Sequence, residues 1–428
     1  MLRPKIDSDA MLEYMVQYVS DNFNSPKVSR MLERVEISTQ FNKWDYWVRK
    51  KHFNRPVFIF KDDDYNHHYD TPIAFINIYS SNIYPHYVVS DKGQAIIWDS
   101  HYWDLFGFFI MCISDIIFYK NKYNNEWGFR KETDFAKTKR VLNSLMLLFL
   151  THKKENDPVL SYLIAEMYSK KYSSIPDYSH TFALPNNTKE YCNPEEYLSD
   201  IGLLWVSDFA KQFVFLHECT HVKMRTQPSE KRIECENIVN ICKSFKFDKK
   251  VDEFINSEIC SAKNTNFAEE IFYDFNSINL IKESSAEESF NVDKAMLAVN
   301  YLQLFQCWLK ITDVQWKILT EVSKTTLTKE RLHKISTSLE KEYMFANTRQ
   351  GIVRAMANYE SLDWGWFANN FLTNDDCYGM IDEIMDRYRE INKESKSAIE
   401  WRNERNSLIG WDDDDSSEFA TKWDGSPK

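Results

Sequence analysis

Two histidines four residues apart, with a glutamate directly after the first, make His217-Glu218-Cys219-Thr220-His221 the stretch of this chain best suited to chemistry. Side chains at i and i+4 of an α-helix point the same way, so both imidazoles can offer a nitrogen to one ion about 2 Å from each. Glu218 stands one step further round. There it flanks the open position of the ion rather than binding it, close enough to take a proton from bound water. The spacing His-Glu-x-x-His is that of zinc hydrolases.

Such a site takes a third protein ligand and keeps one position open. The extension that supplies a glycine and a third histidine from the same helix is absent, since Met224 and Gln227 stand at those places. A second apolar-periodic run, Phe267 to Ile281, carries Glu270 and Asp274 on one face. Glu270 can close the coordination shell while Asp274 accepts the free ring N–H of one ligating histidine. Glu269, about 100° away around the helix, competes with Glu270. Glu234 and Glu236 lie nearer to His221 in the chain and are reserve ligands, without a carboxylate four residues on.

His217-Glu218-x-x-His221 followed by Glu270-x-x-x-Asp274 resembles the gluzincin metallopeptidases, which include thermolysin, the CAAX prenyl proteases and the intracellular phage-exclusion peptidase Lit. The likeness covers two helices, about one tenth of the 428 residues. It implies that His217, His221 and Glu270 hold a Zn2+ ion, that Glu218 is the general base and that Asp274 orients a ligand. Cys219 and Thr220 depart from the Leu-Gly common in bacterial members, although thermolysin also has threonine there. A sheet beside the metal-binding helix, with an edge strand lining the cleft, belongs to the same implication. So does, through Lit, a regulated effector of antiviral defence.

The elements that must position these residues follow from composition and period. Phe209, Phe213, Val214, Phe215 and Leu216 make the helix around His217 apolar nearly all round, the mark of a buried helix. Residues 1–54 read as helices docked on the rest. A zincin-like domain is expected over 55–284, a helical subdomain over 285–406 and a flexible acidic tail over 407–428. Within the domain, Val57 to Phe60, Ile73 to Ile78, His86 to Val89 and Ala95 to Trp98 read as short strands, with a hairpin turn at Ser90-Asp91-Lys92-Gly93. The expected fold class is therefore α+β and predominantly helical, a small sheet of three or four strands beside the metal-binding helix, flanked by helical N- and C-terminal regions. Helices inserted over Ser229 to Phe247 and Val251 to Ala262 would wall the cleft or simply pack. In the C-terminal region Tyr343, Arg349, Arg354 and Tyr359 are residue types that stabilise an oxyanion, Arg354 first among them. Asp62, Asp63 and Asp64 with His67 and His68 sit in a polar loop and read as a solvated turn; His180 and His333 read as surface residues.

Net charge and cysteine usage exclude several classes. At −11 the chain is a poor partner for a nucleic-acid backbone or an anionic membrane surface. Its 43% hydrophobic and 15% aromatic residues are those of a globular protein. Eight cysteines are scattered without a Cys-x-x-Cys pair, as in reduced cytosolic proteins. No apolar leader is seen at Met1 to Leu12, and the most apolar run, Leu105 to Ile113, is too short to cross a bilayer. Nine glycines and no glycine-rich loop leave little room for a nucleotide cradle. The expectation is a cytoplasmic zinc metallopeptidase acting on a protein or peptide. The alternative is a degenerate scaffold of the same build that binds a partner.

Overall fold

The computed structural model describes residues 36–38, 73–78, 85–90, 93–117, 119–120, 127–128, 157–171, 202–226, 249–259, 265–284, 289–324, 344–353, 374–391 and 396–409, with short pieces between 139 and 150, between 235 and 245 and at 355–356, and a few single positions. Outside them lie the expected N-terminal helices, the strand Val57 to Phe60, the cluster from Asp62 to His68, His180, Glu234, His333, Tyr343, Arg354, Tyr359 and the acidic tail beyond Ile409. The chain forms two compact units.

The first unit comprises Met1–Leu105, Leu204–Leu302 and Thr348–Glu360. Strands β1 (Glu36–Ser38), β2 (Ile73–Ile78), β3 (His86–Ser90) and β4 (Gly93–Asp99) form one sheet in the order β1-β2-β4-β3. β1 runs antiparallel to β2, β2 parallel to β4, and β3 antiparallel to β4 with Ser90 opposite Gly93. Side chains alternate across a strand, so Tyr87, its neighbour Ile96 and Trp98 share a face, on which Ile96 and Trp98 are fully buried. Helix α1 (Ser100–Ile117) follows β4 directly, and its Trp103 stacks on Trp98 at 5.0 Å between ring centroids.

The helix that carries the His-Glu-x-x-His motif, here α3 (Leu204–Thr226), is entered through Gly202 at φ 73°, a left-handed conformation that only glycine adopts without steric cost. Residues 206–220 are buried without interruption, the polar Ser207, Asp208, Lys211, Gln212, His217, Glu218 and Thr220 together with the apolar ones. The one lysine among them, Lys211, places its ammonium over the Trp103 ring at 5.8 Å. α4 (Lys249–Phe254) and a π-helical turn, Ile255–Ile259, precede α5 (Thr265–Ser284), which packs along α3. Phe254 meets Phe267 edge-on at 5.7 Å.

The second unit comprises Phe106–Leu203, Gln303–Asn347 and Ser361–Lys428. Its core gathers Phe109, Phe305, Trp308 and Phe367, with Phe109 5.5 to 6.0 Å from the other three rings. Helix α2 (Pro158–Lys171) starts on Asp157, whose Oδ1 accepts the backbone N–H groups of Val159 and Leu160 at 3.0 and 3.2 Å, satisfying two of its orphan donors. α7 (Asn374–Ile391) is tied to that cap through the Tyr388 hydroxyl, 2.6 Å from Asp157 Oδ2. α8 (Ala398–Ile409) opens with a reciprocal Ser397–Glu400 capping box. The 36-residue helix α6, Ser289–Lys324, contributes residues to both units. Among the described residues, no helix is long and apolar enough to cross a membrane.

These findings correct the expected fold class. The N-terminal stretch is not purely helical, because Glu36–Ser38 is β1. His217, Glu218, His221, Glu270 and Asp274 all stand on two helices, as their spacing requires, and β3 reaches them through the contact of Tyr87 with His221. Nor is there one uninterrupted domain flanked by helical regions, since the unit that contains the site is assembled from three separated stretches. The physical reason is that strand pairing and helix docking join residues distant in the chain, which local periodicity does not report.

Candidate metal centre

Helix period does the first part of the positioning. His217 and His221 leave α3 on one face, and their Nε2 atoms come to 3.2 Å of each other. On α5 the same four-residue spacing aims Glu270 and Asp274 at this face. Glu270 Oε2 lies 3.2 Å from His217 Nε2, and Glu270 Oε1 lies 3.5 Å from His221 Nε2. Asp274 Oδ1 is 2.9 Å from His217 Nδ1. A further bond sets the register of the two helices: Asn276 Nδ2 donates to Thr220 Oγ1 at 2.8 Å, and that hydroxyl donates to the Leu216 carbonyl at 2.8 Å.

The facing groups of His217, His221 and Glu270 bear comparison with the donor set of a metal ion. Donors at the corners of a tetrahedron with bonds of about 2.0–2.1 Å are separated by about 3.3–3.4 Å. His217 Nε2 lies 3.2 Å from both His221 Nε2 and Glu270 Oε2, and the other carboxylate oxygen, Glu270 Oε1, lies 3.5 Å from His221 Nε2. With Nδ1 donating to the buried carboxylate of Asp274, the His217 nitrogen that an arriving cation would deprotonate and take as ligand is Nε2, which faces His221 and Glu270. Glu218, 5% exposed, completes a His217–Glu218–His221 cluster whose ligand atoms all lie within 4.8 Å of one another. Its Oε2 is buried with no hydrogen-bond partner among the described residues, an arrangement stable only if something else meets that oxygen.

Electrostatics separate the two glutamates. Burial raises the Glu218 carboxyl to about 8; Glu270 adds to the rise, while His217, Arg349 and the Tyr87 backbone amide oppose it. Burial acts in the same sense on Glu270 but is outweighed there by the bond to His217 and by the charges of His217, Arg349 and His221, so Glu270 is held well below the usual carboxylate range. His217 is buried too, yet Asp274 and Glu270 carry its pKa up to about 10. Glu270 and Asp274 thus stay ionised, and of the two Glu270 is the one that faces both imidazoles, where a divalent cation would take the place of the His217 proton.

Arg349 anchors this field. It stands on a helix over residues 344–353, and its Nε and Nη2 hold the two oxygens of Asp274 at 2.6 and 2.8 Å; Nη2 is also 3.6 Å from Glu270 Oε2. Asp274 is fully buried, and this bidentate pair keeps it ionised. Arg349 is one of the four residues considered above for oxyanion binding, but its forked donors face Asp274. Arg354, the first of the four, lies outside the described residues. A signal for Arg349 exists in the chain: it falls on the stripe of Ile352, Val353 and Met356, at i+3, i+4 and i+7, so its charge is placed on a buried face.

Of the other ligand candidates, Glu269 is turned away, and its Oε2 accepts the Tyr273 hydroxyl at 3.3 Å. Glu236 is exposed. Tyr87, on the end strand β3, stacks on His221 at 6.4 Å between ring centroids, a contact that no motif in the chain announces.

The arrangement is that of a gluzincin-type metal-binding site and of a metal-dependent hydrolase. Compared with family models, with curated proteins and with solved structures, the chain matches none.

Proposed function

We propose that the protein is a zinc-dependent peptidase, with His217, His221 and Glu270 holding the ion and Glu218 acting as general base. One observation carries the reading: the two imidazole Nε2 atoms and the Glu270 carboxylate converge within 3.2–3.5 Å of one another, beside a buried glutamate oxygen that has no partner among the described residues. Two histidines and one carboxylate are a catalytic rather than a structural ligand set, because they leave a fourth position open. When bound, zinc lowers the pKa of a water toward ~7 and polarises a carbonyl.

The chain's own groups do the rest. Glu218, with a pKa lifted toward neutrality, receives the proton of the attacking water and returns it to the leaving amine. Asp274 holds the Nδ1 proton of His217, so that Nε2 is the nitrogen that gives up its proton and ligates. Arg349 neutralises Asp274 and, at longer range, Glu270. Burial around α3 limits bulk water near these groups. A peptide substrate is favoured by β3, which pairs only with β4 among the described residues and stands beside His221 through Tyr87; an extended chain adds to such an edge by main-chain hydrogen bonds.

The test is elemental analysis of wild type and His217→Ala expressed together, followed by peptide-library hydrolysis with Glu218→Gln as control. One zinc per wild-type chain, none in His217→Ala and peptide cleavage lost in Glu218→Gln support the reading. A wild type that cannot be loaded with zinc refutes it.

A further inference from the structure

Tyr273 stands on α5 between Glu270 and Asp274 and is 2% exposed. Its ring centroid lies 4.0 Å from that of His221, and it meets His217 edge-on at 5.7 Å. A buried ring at this distance leaves the His221 imidazole little room to swing, much as the bond to Asp274 fixes His217. At its far end the Tyr273 hydroxyl donates to Glu269 at 3.3 Å. One side chain therefore touches both candidate histidine ligands and also engages the glutamate that adjoins Glu270.

We propose that Tyr273 is a positioning residue for the metal: its ring sets the plane of His221, and its hydroxyl withholds Glu269, so that Glu270 alone of the two adjacent glutamates reaches the ion. The inference rests on the metal-centre reading above. Its consequence is chemical. A lone pair that swings off the metal axis binds less tightly, and a second carboxylate on the ion fills the open position and weakens its pull on a carbonyl. Keeping Glu269 away preserves both the vacancy and the Lewis acidity that hydrolysis needs.

The experiment compares wild type, Tyr273→Phe, Tyr273→Leu and Tyr273→Phe/Glu269→Gln. Zinc affinity is read by competition with a chromophoric chelator, coordination by the visible spectrum of the Co2+ form, and the His221 ring by its Cε1–H resonance in metal-free protein. Tyr273→Leu should lose zinc affinity about tenfold or more, as removal of ligand-orienting groups does, and should lose the ring-current shift of His221. Tyr273→Phe keeps the ring, so affinity and the His221 resonance should hold within about threefold and unshifted respectively, while the Co2+ absorption weakens toward higher coordination. Adding Glu269→Gln should restore the wild-type spectrum. Circular dichroism checks folding, and the Tyr273→Phe arm stands even if Tyr273→Leu does not fold. Wild-type Co2+ absorption in Tyr273→Phe overturns the role of the hydroxyl, and unchanged affinity in a folded Tyr273→Leu overturns that of the ring. A wild type that binds neither ion overturns the metal centre and this role with it, whereas loss confined to the variants' differences leaves the centre standing.

Discussion

Asp274→Asn isolates the hydrogen bond that orients His217, and its outcome can be worked from the geometry. The carboxylate serves two sets of donors: His217 Nδ1–H on Oδ1, and Arg349 on both oxygens at 2.6 and 2.8 Å. An amide has one acceptor oxygen and one NH2 group. Placed with its oxygen toward His217, it turns its NH2 group against the Arg349 Nε–H. Placed the other way, it donates to His217 Nδ1, moves the ring proton to Nε2 and blocks the ligand atom. Either orientation opposes a donor to a donor at a fully buried position. Loss of such an orienting group weakens metal affinity by about 10–100-fold, or about 1.4–2.8 kcal/mol. Metal-free stability falls as well. Breaking a buried pair costs about 3–5 kcal/mol, and this is an upper bound here because Glu270, 3.6 Å away, still faces Arg349. The assay is zinc competition against a chelator, with urea unfolding of the metal-free protein beside it. Zinc affinity within twofold of wild type in a folded Asp274→Asn would refute the argument that Asp274 sets the tautomer.

The remaining predictions address the other groups of the site and its entrance. Glu218→Gln should bind zinc as wild type does and lose hydrolysis by at least about a hundredfold, the usual contribution of a positioned general base; metal content and turnover on the same sample decide it. Glu270→Ala should lose zinc, whereas Glu269→Ala, whose carboxylate is engaged by Tyr273, should keep it; the reverse result in elemental analysis would exchange their roles. Thr220→Val removes the acceptor of Asn276 between α3 and α5 and should cost about 1–3 kcal/mol in urea unfolding, with Thr220→Ser restoring most of it. Gly202→Ala meets no atom within 4 Å but must adopt φ 73°, so backbone strain alone should lower stability by about 1–2 kcal/mol without changing zinc affinity.

The helix that bears His217 and His221, and the shared face of Glu270 and Asp274, were legible in the chain because each depends on a period of 3.6 residues within one element. Burial of α3 was legible for the same reason, from apolar residues on every side. Periodicity ends where one element meets another. It ranks Glu269 beside Glu270, and only the Tyr273 hydroxyl and the facing imidazoles separate them. It names no cation for Asp274, and the one that holds it, Arg349, lies 75 residues further along the chain. It reads residues 1–54 as helical and passes over the strand Glu36–Ser38, three residues long and stable only through its pairing with β2.

What the sequence by itself determined is the set of groups able to bind a divalent ion and the helix faces on which they stand, since local backbone geometry fixes the direction of side chains along one element. Tertiary structure alone decided which carboxylate meets the imidazoles, which cation neutralises Asp274 and which strand runs beside His221. Those choices depend on how α3, α5, β3 and the 344–353 helix dock. Docking is the summed result of many weak contacts between residues far apart in the chain, and no single stretch encodes it.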